Sequence, residues 1–441
     1  MTDSAPDQRV DARPVPLLEP RDGVPDPVST PGGLAAAAAR LAAGSGPVAV
    51  DAERASGYRY GQRAYLVQLR RADAGTVLID PVPLPDLSPV GTAIADAEWV
   101  LHAASQDLPC LAELGLHPSR LFDTELAGRL LGYQKVGLAT MVEQHLGYAL
   151  EKGHSAADWS TRPLPRAWLA YAALDVEVLV DLRDVLERQL AEHGKVDWAQ
   201  EEFATIVAAP PAPPRTEPWR RTSGIHRVRG RRQLAVVRAL WESRDALARD
   251  RDIAPGRLLP DSSVVEAALA EPKSPGDLLA LPVFGGRQQR RLVTRWYAAV
   301  TAGRALPEPD LPLLAIPSDA PPPTNRWADR DPQAAARLSA ARAAIGDLAL
   351  RHALPVENLL APDLLRRLAW EPPADRSPDG LATVLRAAGA RRWQVGLTAA
   401  PLAEALRARI GTGAVSGAVS GAVSPAGRSG PDPATVEVTR Q

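Results

Sequence analysis

The sequence predicts an α/β domain over residues 31–205, followed by two small all-helical units at 225–305 and 331–410. Three observations predict this. Strand-like apolar runs occur only in the first half of the chain, with helical periodicities around them. Two proline-rich stretches, within 206–224 and 306–330, interrupt the helical pattern and read as linkers, because proline cannot continue a helix. Beyond the first of them the strand signals stop. At 441 residues the chain is also too long for one ordinary core.

Residues 1–30 are rich in Pro and Asp and poor in aromatics, the composition of a disordered leader. GGLAAAAARLAAG (32–44) predicts a helix closed by Gly44. PVAVDAE (47–53), AYLVQLRR (64–71) and TVLIDP (76–81) predict strands, and the short turns between them suit antiparallel neighbours. A helix around 88–97 precedes a fourth strand, WVLHAA (99–104). Helices follow from the N-cap Ser105 to Gly115, over FDTELAGRLLG (122–132) and over LATMVEQHLG (138–147). The longest is expected from Pro165 to about Gly194.

Each helical unit opens with an Arg- and Ala-rich amphipathic helix, continues through a Pro-containing turn and carries a late tryptophan, Trp296 or Trp393. This pattern reads as an internal duplication of about 100 residues. The tail at 411–441, with GAVS repeated three times, has too little bulk to form a core and is expected to be disordered.

Composition bounds the function. A hydrophobic fraction of 45% and a charged fraction of 23% are those of an ordinary globular protein. The one cysteine, Cys110, excludes a disulfide framework and a cysteine-rich zinc module, and is expected to be a small buried hydrophobe in a reducing compartment. No apolar run is long enough for a membrane span, and the N-terminus has no basic stretch leading into an apolar core. The cytoplasm is the expected location. No P-loop, nucleophile elbow or histidine-based metal set is present.

Three carboxylate signals remain. Asp51 and Glu53 end an apolar strand, and strand alternation puts i and i+2 on one face, within reach of one hard cation. Asp107 falls in the first turn of a helix just after the fourth strand, where the helix dipole alone favours an acid. Tyr171 and Asp175 stand one helical turn apart, beside an apolar stripe where an acid is costly to bury without a partner. Taken singly, each has an ordinary structural explanation. Together they place four carboxylates and a tyrosine in one α/β unit, as metal-assisted phosphoryl hydrolysis requires. A tyrosine hydroxyl can orient the attacking water.

The segments VAVDAERASGYRYGQRAYLVQL, LHAASQDLPCLAELGLHPSRLFDTELAGRLLG, GLATMVEQHLG and DWSTRPLPRAWLAYAALDVEVLVDL resemble the ribonuclease D branch of the DEDDy exonucleases. The likeness covers about residues 47–200, and the helical units resemble HRDC domains, the first more clearly than the second. The resemblance implies a ribonuclease H-like fold and a 3′→5′ exoribonuclease that releases 5′-nucleoside monophosphates from RNA with a free 3′ end, tRNA precursors among them. It implies two Mg2+ or Mn2+ ions. By position, Asp51, Glu53 and Asp175 would hold the first ion, Asp51 would bridge to the second with Asp107, and Tyr171 would orient water. Two positions depart from the family's D-T-E-F pattern: Ala52 and Arg54. Arg54 replaces an apolar wedge and is expected at a phosphate.

Residues 215–304 hold eighteen Arg or Lys against nine Asp or Glu, although the whole chain has a net charge of −1. Such a local excess is the footprint of a phosphate backbone. Arg229, Arg231, Arg232, Arg290 and Arg291 are the candidate contacts, with a solvated basic surface as the alternative. No obligate protein partner is indicated, and a monomer is expected. The competing functions are a DNA-directed 3′→5′ exonuclease, a catalytically silent RNA-binding scaffold and a helicase accessory module. The acids are all present, which argues against the scaffold, and no nucleotide-binding loop supports the helicase module.

Overall fold

The computed structural model describes residues 14–407, apart from 152, 155, 317 and 318. The expected tail at 411–441 and the start of the leader lie outside the described residues.

Seven strands are present among the described residues: β1 (Val15–Leu17), β2 (Ser45–Arg54), β3 (Ala64–Ala72), β4 (Gly75–Ile79), β5 (Glu98–Leu101), β6 (Arg120–Asp123) and β7 (Tyr148–Leu150). Five of them form one sheet in the order β4-β3-β2-β5-β6. The β2–β3 and β3–β4 pairs are antiparallel, as their short turns predict, while β5 and β6 join in parallel. β2 therefore lies at the centre, and its end carries Asp51 and Glu53.

The helices of this domain are α1 (Pro31–Ala43), α2 (Ser88–Ala93), α3 (Leu108–Ala112), α4 (Thr124–Leu130), α5 (Leu138–Leu146), α6 (Arg166–Glu177), α7 (Leu179–Glu192) and α8 (Val196–Ala208). One face of the sheet, with Val48, Val50, Val67 and Leu69, belongs to a core that includes Leu34 and Leu41 of α1. The other face, with Leu66 and Leu78, packs against Leu169, Ala172 and Ala173 of α6 over a fully buried Trp159.

Three expectations are corrected. The helix from Pro165 to Gly194 breaks at Val178, so that α6 lies over β2–β4 while α7 turns onto β2 and β5. Residues 120–123, expected partly in a helix, form β6, because so short a buried strand shows no period of its own. Residues 14–30 of the expected leader belong to the fold. β1 pairs in parallel with β7, Val28 bridges to Ile79, and the Thr30 hydroxyl accepts from Gly33 N at 3.2 Å to cap α1. Its composition hid this because its partners are distant in sequence.

The first helical unit comprises α9 (Arg231–Arg251), α10 (Pro255–Leu258), α11 (Asp261–Ala270), α12 (Pro275–Ala280) and α13 (Arg287–Ala305). The second opens with the short α14 (Trp327–Arg330) and continues with α15 (Pro332–Arg351), α16 (Val356–Leu359), α17 (Pro362–Trp370), α18 (Pro378–Ala387) and α19 (Arg392–Ala405). From α9 and from α15 onward the helices follow one order: long, single turn, two of intermediate length, long.

The units attach differently. The first has its own core around Trp219, Phe284 and Trp296. It grips the β2–β3 loop: Tyr60 donates to Asp245 at 3.1 Å, and Arg257 Nε donates to Gly57 O at 2.7 Å. The second shares a continuous core with the α/β domain. There Lys195 Nζ donates to Leu130 O and His352 O, both at 2.6 Å, and Trp198 stacks on Trp393 with centroids 4.8 Å apart. Among the described residues, no helix is long and apolar enough to cross a membrane.

Candidate active site

β2 runs as an apolar strand until Asp51, and Ala52 between the two acids is buried in the opposite face's core. Asp51 and Glu53 thus project toward α6, which brings Tyr171 and Asp175. Oxygens of Asp51, Glu53 and Asp175 lie within 4.8 Å of one another. Burial and then Asp51 push the Asp175 carboxyl well above the usual carboxylate range, and the neighbouring Tyr171 hydroxyl acts in the opposite direction.

The electrostatics of this cluster are adverse to its own charge. Burial, then Asp51, Asp175 and Asp107, push Glu53 up to about 10, and Arg54 opposes them. Burial raises Asp51, with the Ala52 backbone N–H and Arg54 acting against it. Burial and then the neighbouring acids raise the Tyr171 phenol, so it stays protonated as a donor. Clustered carboxylates that suppress one another's ionisation are a donor set that a divalent cation relieves, and all-oxygen ligands suit Mg2+ or Mn2+. The residues fit such an ion.

Asp107 sits at the start of α3, buried, and caps nothing. Burial first, then Asp51, push it up to about 7, and Arg54 opposes the shift. Its partner is Arg54, whose Nη2 stands 3.2 Å from Asp107 Oδ1 and whose Nη1 donates to Gln106 O. In the structure Arg54 thus pairs with an acid of the cluster.

Sequence reasoning missed two residues here. Asp123 is buried and accepts from Ala103 N at 3.1 Å, Ala104 N at 2.8 Å and Leu126 N at 3.1 Å. It caps α4 and pins the turn leading to Asp107, in which Ala103 has φ 59°. An aspartate just before a helical run is an N-cap signal that could have found it. Gln68 is the other. It pairs across the ladder with Asp51, is fully buried, and neither amide atom has a hydrogen-bond partner among the described residues. A glutamine inside the apolar run AYLVQLRR was the available signal.

The basic candidates divide. Arg231 donates to the Leu311, Pro312 and Glu308 carbonyls, and Arg232 donates to the Arg304 and Leu306 carbonyls and pairs with Glu308 at 3.0 Å. Both bind the end of α13 and the segment after it, so their guanidinium donors are engaged within the protein. Arg229, Arg290 and Arg291 are exposed, and Arg290 donates to Gly285 O at 3.0 Å. Cys110 is buried, and burial pushes its thiol up to about 12, which disfavours the thiolate.

Three family models match the chain. A 3′-5′ exonuclease model covers residues 25–191, an HRDC domain model covers 233–300, and a model described as the 3′ to 5′ exonuclease C-terminal domain covers 320–406. The chain is 34% identical over 327 residues to ribonuclease D of Acidiphilium cryptum, covering 70% of this chain and 80% of that protein. It is 33% identical over 336 residues to ribonuclease D of Gluconacetobacter diazotrophicus, covering 74% and 82%. Among solved structures, a Bifidobacterium adolescentis protein superposes with TM-score 0.82 at 40% identity, covering 90% of this chain and all of that one. Escherichia coli RNase D, described as an exoribonuclease involved in structured RNA processing, superposes with TM-score 0.63 at 26% identity, covering 87% and 98%.

Proposed function

The chain belongs to the ribonuclease D family and is a 3′-5′ exoribonuclease, and from the geometry of its acidic cluster we propose how its residues act. The observation that carries the reading is the convergence of oxygens of Asp51, Glu53 and Asp175 within 4.8 Å, with Tyr171 one helical turn before Asp175 on α6. Family and cluster together support the use of divalent metal. We take the number of ions as two. Asp51, Glu53 and Asp175 would hold one, and Asp51 with Asp107 the other. Such ions supply Lewis acidity, which makes water nucleophilic near neutral pH and offsets charge on the departing oxygen.

The protein's own contribution is placement. Two strand residues and one helix residue fix the carboxylates on rigid elements, where little reorganisation is needed during reaction. Tyr171, held protonated, can donate to or orient the attacking water beside Asp175. Attack on the last phosphodiester would release a 5′-nucleoside monophosphate and leave a new 3′ hydroxyl. The likeness to Escherichia coli RNase D supports structured RNA 3′ ends, such as tRNA precursors, as substrate. The single buried cysteine fits the cytoplasm as compartment.

A degradation assay with 3′-labelled RNA and DNA, with Mg2+, Mn2+ or a chelator, tests this reading. Asp51→Asn and Asp175→Asn should each lower hydrolysis by at least ~1000-fold, within the several kcal/mol that charge stabilisation supplies. RNA binding should persist in both. Full activity in either variant would sink the assignment.

A further inference from the structure

The acidic cluster occupies the end of the sheet where β2 finishes. The opposite end carries two adjoining cavities. One, of about 440 Å3, lies between the edge strand β6 and helices α7 and α8. The other, of about 310 Å3, lies where β2, β5 and β6 begin and β3 ends. Glu98 and Arg120 line both, so the two are contiguous. Each volume lies within the range of small-molecule sites.

The larger cavity is apolar because of how its elements meet. On α8, Ala199, Phe203 and Val207 stand one turn apart and share the face toward it. Phe122 of β6 and Leu190 of α7 complete the apolar walls. The Phe122 and Phe203 rings pack on each other, tilted, with centroids 5.0 Å apart, and both residues are buried. Rings so buried leave little face for a base to stack on, so the walls suit a flexible aliphatic body. Water between such walls finds few hydrogen-bond partners.

Around the junction the charges divide. Glu98 and Glu187 are held by Arg183, which donates to each at 2.8 Å. Among the described residues, Arg71 and Arg120 pair with backbone carbonyls instead of carboxylates. Arg71 donates to Gly46 O at 3.1 Å and Leu41 O at 2.8 Å, and Arg120 donates to Asp96 O at 2.8 Å. A guanidinium has five N–H donors, so both keep donors for an anion. The remaining carboxylate of the lining, Asp96, is exposed to screening solvent.

We propose that these joined cavities bind a small amphiphilic anion, its aliphatic chain in the β6–α8 cavity and its carboxylate or phosphate on Arg120 and Arg71. The site is separate from the acidic cluster, at the far end of β2. Its occupant braces α8, whose Trp198 stacks on Trp393 and whose Glu202 accepts from the Trp393 indole. Binding therefore raises the melting transition that the α/β domain shares with the second unit.

The test is calorimetric titration of the full chain, in chelator, with octanoate, octyl phosphate and the uncharged octanol. One site should be titrated by an anion: octanoate alone marks a carboxylate ligand, octyl phosphate alone a phosphate ester. Octanol should bind at least about tenfold more weakly, because the charge-assisted hydrogen bonds are lost. Arg120→Ala should weaken the anion about tenfold and leave octanol unchanged. Ala204→Trp, at an exposed position of the lining, should fill the cavity and abolish binding of all three. Thermal melts without ligand establish that each variant is folded, and melts with the anion should show the rise in the wild type alone. No binding by the wild type, binding that survives Ala204→Trp, or octanol matching the anions overturns the proposal. Loss of binding in Asp51→Asn would overturn the separateness of the site. Displacement of octanoate by 5′-AMP would overturn the aliphatic body and make the site a nucleotide's.

Discussion

Arg54 and Asp107 form an ion pair within the acidic cluster, guanidinium Nη2 to carboxylate Oδ1 at 3.2 Å. Arg54 also lowers Glu53 and Asp51, so one cation serves three acids. An arginine there competes with any divalent ion for the same oxygens. Arg54→Gln is therefore expected to reduce the metal concentration needed for half-maximal activity several-fold. In chelator the same variant should lose about 1–3 kcal/mol of stability, because buried acids are left without their counter-charge. Added Mg2+ should restore the loss through linkage. Metal titrations and thermal melts check both effects. A variant with unchanged metal dependence but weaker, less salt-sensitive RNA binding would return Arg54 to the phosphate role expected from sequence.

Gln68 gives a second prediction. Directly opposite residues in an antiparallel pair share a face, so Gln68 stands beside Asp51 under α6. Its buried amide has no hydrogen-bond partner among the described residues, and replacing such a group by an apolar one of similar shape is neutral or stabilising. Gln68→Leu should gain up to about 1 kcal/mol, a rise of a few degrees in Tm. If the amide steadies Asp51 during reaction, kcat should fall in the same variant, the trade of stability for function seen at active sites. A lower Tm would show that the amide has a structural partner and defeat the prediction.

The parts of this site that were legible in the sequence are those set by a local period. The two-residue repeat of β2 pairs Asp51 with Glu53, and the helical turn of α6 pairs Tyr171 with Asp175. The sheet order was partly legible, because short turns force β2–β3–β4 to be antiparallel. What stayed hidden depends on contacts between distant residues. Nothing near Arg54 announces Asp107, fifty-odd positions away, as its partner. Nothing in residues 14–30 announces β7 or Glu177. The break at Val178 is a tertiary decision too: α6 and α7 serve different halves of the sheet, and both halves are apolar enough to look like one helix.

The second helical unit shares its core with the α/β domain, and Lys195 sits at that joint. Lys195→Met removes two short charge-assisted hydrogen bonds and leaves the carbonyls of Leu130 and His352 without that donor. A loss of about 2–4 kcal/mol is expected. Calorimetry of the wild type should show the second unit unfolding together with the α/β domain. In Lys195→Met the second unit should uncouple and melt earlier. Separate wild-type transitions for these two parts would contradict the shared core.

The basic first unit supplies the last prediction. Arg231 and Arg232 are occupied with carbonyls at the end of α13 and in the segment following it, whereas Arg229 and Arg291 are exposed. Only the exposed pair can exchange a solvent shell for phosphate without breaking internal bonds. Arg229→Ala and Arg291→Ala should therefore weaken RNA binding, each reducing the slope of log K against log salt by about 0.7–0.9. Arg231→Ala and Arg232→Ala should leave that slope unchanged and instead lower the melting temperature of the first unit, because the chain following α13 loses its anchor. Binding isotherms across a salt series, paired with thermal melts, separate the two classes. Should the slopes shift in Arg231→Ala and Arg232→Ala instead, the carbonyl contacts must yield to RNA, and the electrostatic footprint would move to the start of α9.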